Sequence, residues 1–214
     1  IGAARTITVN SGITANFYTP DTNNLIIAAY IKGPGNVIKK SSSYAFGTVR
    51  FSCDTNDYTG EFSAGYGHTE FTSVANTGTP SSLGKGTTGI INIPNGNASG
   101  FLTYVGDNNS ATTRPLNWTG QNNYSLINNG VGTIAWLAPD ALRSVNTAPA
   151  SFILDGSNAG ANLLAQEIND NTGATSLTKK GSGQWILTGS NTYSGGTMIN
   201  GGILSVTNDA ALGI

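Results

Sequence analysis

The stretch SLTKKGSGQWILTGSNTYSGGTMINGGILSV, residues 176–206, carries the clearest periodic signal in the chain. Within it Trp185, Leu187, Thr197, Ile199, Leu204 and Val206 share one parity inside short apolar runs, and Ile186, Met198, Ile203 and Ser205 share the other. Alternation over three to five residues, interrupted by Gly and Asn, marks short half-buried strands. The spacing predicts strands over 184–188, 196–200 and 202–207, with the Trp185 set turned inward. Gly and Asn fill the connections because they reach positive φ at little cost.

The same pattern recurs earlier in the chain. Asn191-Thr192-Tyr193-Ser194-Gly195 repeats the upstream string Asn56-Asp57-Tyr58-Thr59-Gly60. Gly183–Leu187 answers Gly47–Phe51, and Ala210-Ala211-Leu212-Gly213 answers Ser81-Ser82-Leu83-Gly84. A weaker copy, Thr119–Ser125, puts a third Asn-x-Tyr-Ser unit at Tyr124. Three short strands per roughly 20–25 residues fit one coil of a β-solenoid. The expectation is therefore an all-β chain, one solenoid over 1–214, with internal repeats at approximately 36–84, 100–145 and 176–214. At that coil length it would make about nine to ten coils stacked at ~4.8 Å. Inward apolar residues would form ladders, and asparagines at the corners would extend the hydrogen-bond network.

Composition agrees. Gly (29), Thr (27), Asn (25) and Ser (20) make up nearly half of the 214 residues. These are mediocre to poor helix formers, so a helix-rich fold fits badly. Charged residues are 10% of the chain, against roughly 25% in an ordinary soluble domain. Disorder is disfavoured by the 38% hydrophobic content and the many β-branched and aromatic residues.

The string Leu-x-Lys-x-Gly-x-Gly, then Asn-x-Tyr-Ser-Gly, then Gly-Gly-x-Leu, within residues 176–213, resembles the autotransporter-associated β-strand repeat. That repeat occurs in passenger domains and other large secreted surface proteins of Gram-negative-type bacteria. Residues 36–84 resemble a diverged copy, with Lys39-Lys40 in place of Lys179-Lys180 and four extra residues before Gly47. The resemblance implies a right-handed parallel β-helix, or β-solenoid, at the outer cell surface or in the extracellular medium. It implies no enzymatic activity and no cofactor. Its implied partners are neighbouring copies or continuing polypeptide at the solenoid ends, and a cell-surface glycan or protein as ligand. A carbohydrate-binding or polysaccharide-degrading β-helix is the alternative, motivated by fold alone.

Charge excludes one class of partner. The net charge is −1 and neither sign forms a block, so nucleic acid has no basic surface to bind. No apolar run approaches the roughly 20 residues of a membrane-spanning helix. The chain opens on Ile1 without an initiator Met or a signal peptide, as a mature product or a fragment would. Cys53 is the single cysteine and admits no internal disulfide.

Few residues invite chemistry. Hydrolysis of a glycoside needs two carboxylates across one cleft; Asp54, Asp57 and Glu61 are close in sequence but straddle the Asn-x-Tyr turn, where Asp54 and Asp57 read as turn formers. Glu167 and Asp170 read as a solvated face. His68 and Glu70 share the outward parity, a poor metal site without further His or Cys, but an accessible pair for a ligand. Trp185 and Trp136 read as core, while Trp118 is the tryptophan left as a candidate sugar platform. Cys53, two residues after inward Phe51, is predicted to be a buried, inert thiol. Gly84-Lys85-Gly86-Thr87-Thr88 lacks the full phosphate-loop string and reads as a solenoid corner.

Overall fold

A computed structural model of the chain describes residues 1–19, 23–40, 47–65, 67–93, 100–118, 123–141, 143–144, 149–170 and 172–214. Their strands are short, all paired in parallel, and distributed over three faces that the chain visits in turn. The first face stacks Thr14–Tyr18 (β2), Asn36–Lys40 (β5), Phe62–Ser63 (β7), Ile91–Ile93 (β9), Leu116–Trp118 (β12) and Arg143–Ser144 (β15). The second is the longest. It stacks Asn24–Ile27 (β3), Thr48–Phe51 (β6), Gly67–Phe71 (β8), Gly100–Tyr104 (β10), Tyr124–Asn128 (β13), Ala150–Gly156 (β16), Thr175–Lys179 (β18) and Thr197–Ile199 (β20). The third stacks Ser110–Thr112 (β11), Ile134–Trp136 (β14), Asn162–Leu164 (β17), Gln184–Leu187 (β19) and Ile203–Val206 (β21). Thr6–Thr8 (β1) and Tyr30–Lys32 (β4) pair by themselves in the earliest coils. The one helical piece among the described residues is a 3-10 turn, Asp209–Leu212.

This is a parallel β-solenoid of about seven turns, fewer than the nine to ten expected from the spacing. The reason lies in the corners. Thr48 pairs with His68, His68 in turn with Phe101, and Ser125 with Ile153, so the interval from one coil to the next varies widely. Strands keep their place while corners absorb insertions, and a coil length taken from the compact C-terminal repeat therefore overcounts turns. Seven steps at ~4.8 Å set the outermost rungs of the second face about 34 Å apart.

The core is a set of register-matched ladders. Val49, Thr69, Leu102, Leu126, Leu154 and Lys179 stand in one column of the second face. Thr112, Trp136, Leu164, Leu187 and Val206 form a column of the third. Aromatic rings bridge the faces: Phe51 meets Phe17 and Phe62 edge-on at 5.5 and 5.3 Å, and Phe71 meets Trp136 at 6.1 Å. Each large apolar side chain so enclosed contributes roughly 1.5–3 kcal/mol.

The C-terminal stretch follows its predicted register. Strands occupy 184–187, 197–199 and 203–206, with Trp185 and Leu187 buried and Ile186 on the outer face. Thr197, Ile199, Leu204 and Val206 continue the inward columns through their pairing with Leu177, Lys179, Trp185 and Leu187. Ile199 and Val206 are nonetheless exposed, because no described coil pairs with β20 and β21 on their other edge.

Cys53 departs from expectation. It is half-buried, with its Sγ 3.4 Å from Thr55 Oγ1. Strand β6 ends at Phe51 and the chain turns at Asp54 and Thr55, so strand parity no longer governs position 53.

Candidate functional site

The Asn-x-Tyr turns are clamps between coils. Asn56 Oδ1 accepts from Ile31 N at 2.7 Å, and its Nδ2 donates to Ser82 O at 3.1 Å. Asn191 does the same, accepting from Ile168 N at 2.7 Å and donating to Ala211 O at 2.5 Å. Both asparagines are buried, so each side chain satisfies one backbone group below and one above that would otherwise be orphaned. The two clamps do not stand above one another. Asn56 follows a strand of the second face and Asn191 a strand of the third. The motif is thus a local strand–turn–strand device that works on whichever face it lands. Tyr124 lies elsewhere, in the second face between Gly100 and Phe152, and Thr119–Asn122 fall outside the described residues.

Buried cations share the same logic. Lys179 points inward and its Nζ donates to the carbonyls of Lys180, Gly181 and Gly201, the last two at 3.2 Å. Arg114, 1% exposed, donates to Gly89 O, Leu83 O and Gly84 O, each at 3.1 Å. The loop that superficially resembles a phosphate cradle therefore turns its carbonyls, not its amides, toward its occupant, which is a guanidinium. Lys39 is enclosed on the first face, and burial pulls its ammonium down to about 8.

The sequence candidates for ligand contact separate. His68 and Glu70 lie on the outer face of β8, as their parity predicted. His68 stacks on Phe101 with ring centroids 4.2 Å apart and planes 3° from parallel. Burial, reinforced by the Lys39 charge and opposed by Glu70, holds its imidazole below the usual range, so the ring is neutral at pH 7. Glu70 accepts from Arg50 Nε at 2.6 Å. Trp118 is not the exposed platform envisaged for it. It is 1% exposed and meets Tyr124 edge-on at 5.0 Å and Phe152 at 5.7 Å, since β12 turns it inward with Leu116.

The carboxylates are engaged one by one. Asp57 approaches Lys85 at 3.8 Å, and Glu61 lies 3.5 Å from Asn92 Nδ2. Glu167 accepts from Thr192 Oγ1 at 2.7 Å. Asp170 accepts from Thr175 N at 2.7 Å and from both the amide and the hydroxyl of Ser194. Partial burial pushes the Asp170 carboxyl up, but those hydrogen bonds outweigh it and hold it below the usual range. Asp54, rather than capping its own turn, reaches the next coil, where Thr72 Oγ1 and Ser73 Oγ donate to its Oδ1 at 2.6 and 2.7 Å.

That last contact lies in the lining of a cleft that the sequence does not announce. It measures 160 Å³ at the corner between the second and third faces, and Asp54, Thr72, Ser73, Asp107, Asn108 and Ser110 line it. They come from three consecutive coils, whose corners stack through Thr72 N to Phe51 O and Val105 N to Phe71 O. The one available signal is the long interval between β8 and β9. There the chain makes an excursion instead of a described third-face strand. Its base is pinned by Ser82, whose Oγ accepts from Thr72 N and Ser73 N. Thr112 Oγ1, donating to Ala75 O, and Thr113 N, donating to Asn76 Oδ1, hold it from above, while residues 76–80 stay largely exposed.

Among the described residues no three His, Cys, Asp or Glu side chains gather to hold a metal, and no helix is long and apolar enough to cross a membrane.

Comparison with known proteins agrees with the geometry. Residues 177–206 match the passenger-associated-transport-repeat family. The chain is 36% identical over 143 residues to the adhesin BmaC autotransporter of Brucella suis, an alignment covering 66% of this chain and 4% of that protein. No solved structure gives a significant match. The matched residues run from β18 through the Asn191 clamp to β21, so this chain is a parallel solenoid that carries an autotransporter-passenger repeat.

Proposed function

We propose that this chain is a non-enzymatic adhesive and structural segment of a bacterial cell-surface or secreted fibre. The observation that carries the reading is the passenger repeat at 177–206 within a chain that is similar to an autotransporter adhesin. The solenoid supplies reach and a regular outer surface, and the outward His68–Phe101 stack with Glu70 and the corner cleft supply places where a ligand can be held. Asp57, Glu61, Glu167 and Asp170 are each engaged by separate partners, which supports the non-enzymatic reading, since hydrolysis needs two carboxylates acting on one bond. The coils are proposed to wind right-handed, the sense favoured for parallel crossovers.

The reading extends to the solenoid ends. Ile199 and Val206, which continue inward columns, lie exposed beside edges of β20 and β21 that no further described strand pairs with, a template for a further parallel coil. That coil would come from continuing polypeptide or from a neighbouring copy, and a head-to-tail contact between copies propagates into a filament unless it closes. An in-frame deletion of the segment from its surface protein tests the function. Cells lacking it should display the remaining protein at the surface, judged by protease accessibility, yet bind host cells less. Undiminished binding at equal display would overturn the adhesive reading.

A further inference from the structure

We propose that the corner cleft lined by Asp54, Thr72, Ser73, Asp107, Asn108 and Ser110 is a binding site for a single neutral sugar ring. The proposal rests on the adhesive reading above and assigns it a place and a ligand class.

The lining sets the chemistry. It offers carboxylates, hydroxyls and an amide, and no Lys or Arg. Acidic ligands, such as uronic acids or phosphates, would meet two carboxylates with no counter-charge and are disfavoured. A sugar presents vicinal hydroxyls, and a carboxylate that accepts from two hydroxyls is the strong form of that contact. Asp54 already accepts from two hydroxyls, Thr72 and Ser73, in the free chain. Asp107 joins it in the lining. Both carboxylates act on the same phenol: burial chiefly raises the Tyr104 hydroxyl, contact with Ser110 lowers it, and the charges of Asp54 and Asp107 raise it further.

Size and rigidity agree. A volume of 160 Å³ holds about five waters at ~30 Å³ each, the scale of one sugar ring. The walls are preorganised. Tyr104 donates to Asn108 O, and the excursion at the cleft's edge is fastened by Ser82, Thr112 and Thr113. Little ordering is then left to oppose binding. With Val105 as its one large apolar wall and no stacking ring, the cleft should bind weakly. Strength at a surface would come from many copies engaging together.

Titration of the isotope-labelled chain with free galactose, mannose and N-acetylglucosamine, followed by amide shifts, tests this. Glucuronate and calcium chloride serve as separate arms. At least one neutral sugar should shift the amides of 72–73 and 105–110 with a dissociation constant in the millimolar range, about 1–50 mM. Asp107→Asn should weaken it about tenfold without changing the melting temperature, because the residue is exposed. Silence with every neutral sugar, equal binding of glucuronate, or shifts with calcium alone would overturn the assignment. Shifts centred on His68 and Glu70 instead would also overturn it. Adhesion of the folded chain with a silent cleft sinks the site and leaves the adhesive reading. Sugar binding by a chain that adheres to nothing does the reverse.

Discussion

The ring of Tyr193 packs against the backbone of Gly213: a Cβ on that glycine would stand 2.9 Å from Cδ2 and Cε2 of the ring. Tyr58 packs the same way against Gly84, where a Cβ would stand 2.5 Å from Cζ. Both glycines hold a positive φ, 80° and 66°. Each tyrosine also accepts an amide at its carbonyl from the residue after its glycine, Ile214 N at 3.1 Å and Lys85 N at 2.9 Å. The coil above is thus seated on the tyrosine and clasped by the asparagine two residues before it. Gly84→Ala and Gly213→Ala each combine a strained φ with a clash against a ring, and should destabilise by roughly 1–3 kcal/mol. Urea melts read it; an unchanged midpoint would mean that the tyrosine–glycine seat bears no load.

Asn56→Leu should cost more than removal of an ordinary surface asparagine. It strands Ile31 N and Ser82 O away from water, at about 1–3 kcal/mol for each group left unpaired. Asn117→Leu, on the outer face of β12 where the side chain donates to Asn92 Oδ1, is the control and should fall within about 0.5 kcal/mol of wild type. Equal effects of the two changes would contradict the clamp.

Strand register is tested inside the C-terminal repeat. Trp185→Asn and Leu187→Asn bury an amide without a partner and empty the core, whereas Ile186→Asn faces outward. The inward changes should lower stability by several kcal/mol, about 3–5 each, and the outward one by about 1 or less. A larger loss at Ile186 would mean the register is shifted by one residue.

Lys39 and Asp170 contribute to the pH dependence at opposite ends of the scale. Lys39 titrates near 8 in the fold against 10.5 when free, so the unfolded chain binds more protons between those values and stability rises with pH across that window. Lys39→Met should flatten the rise. Asp170 is held below its ordinary 3.8, so its contribution is complete above that value and is lost as pH falls through the folded-state titration. Asp170→Asn should blunt the acid limb. Thermal melts from pH 2 to about 11 check both, and an alkaline limb unaltered in Lys39→Met would contradict the buried-lysine assignment.

Much of this is legible in the sequence, and the limits have physical causes. Period-two alternation exposes the inward set of Trp185 and the outward set of Ile186, because a strand enforces parity wherever it is continuous. Parity fails at Cys53, where the strand has ended. It also says nothing about how far a corner wanders, so the excursion after Phe71 conceals both the true number of turns and the cleft. Trp118 is hard to place because its strand, Leu116–Trp118, is too short for alternation to show which side faces in; β12 sets the indole between Tyr124 and Phe152. The pairing of Asn56 with Ser82, and of Asn191 with Ala211, appears in sequence only as two matching strings. Their meaning as a clamp and its seat needs the third dimension.

Adhesion itself can be measured on the folded chain alone. Beads coated with it should attach to host-cell monolayers well above albumin-coated beads, and beads carrying the core-disrupted Trp185→Asn chain should not. Attachment of the native chain no greater than that of albumin would mean that this segment is not adhesive.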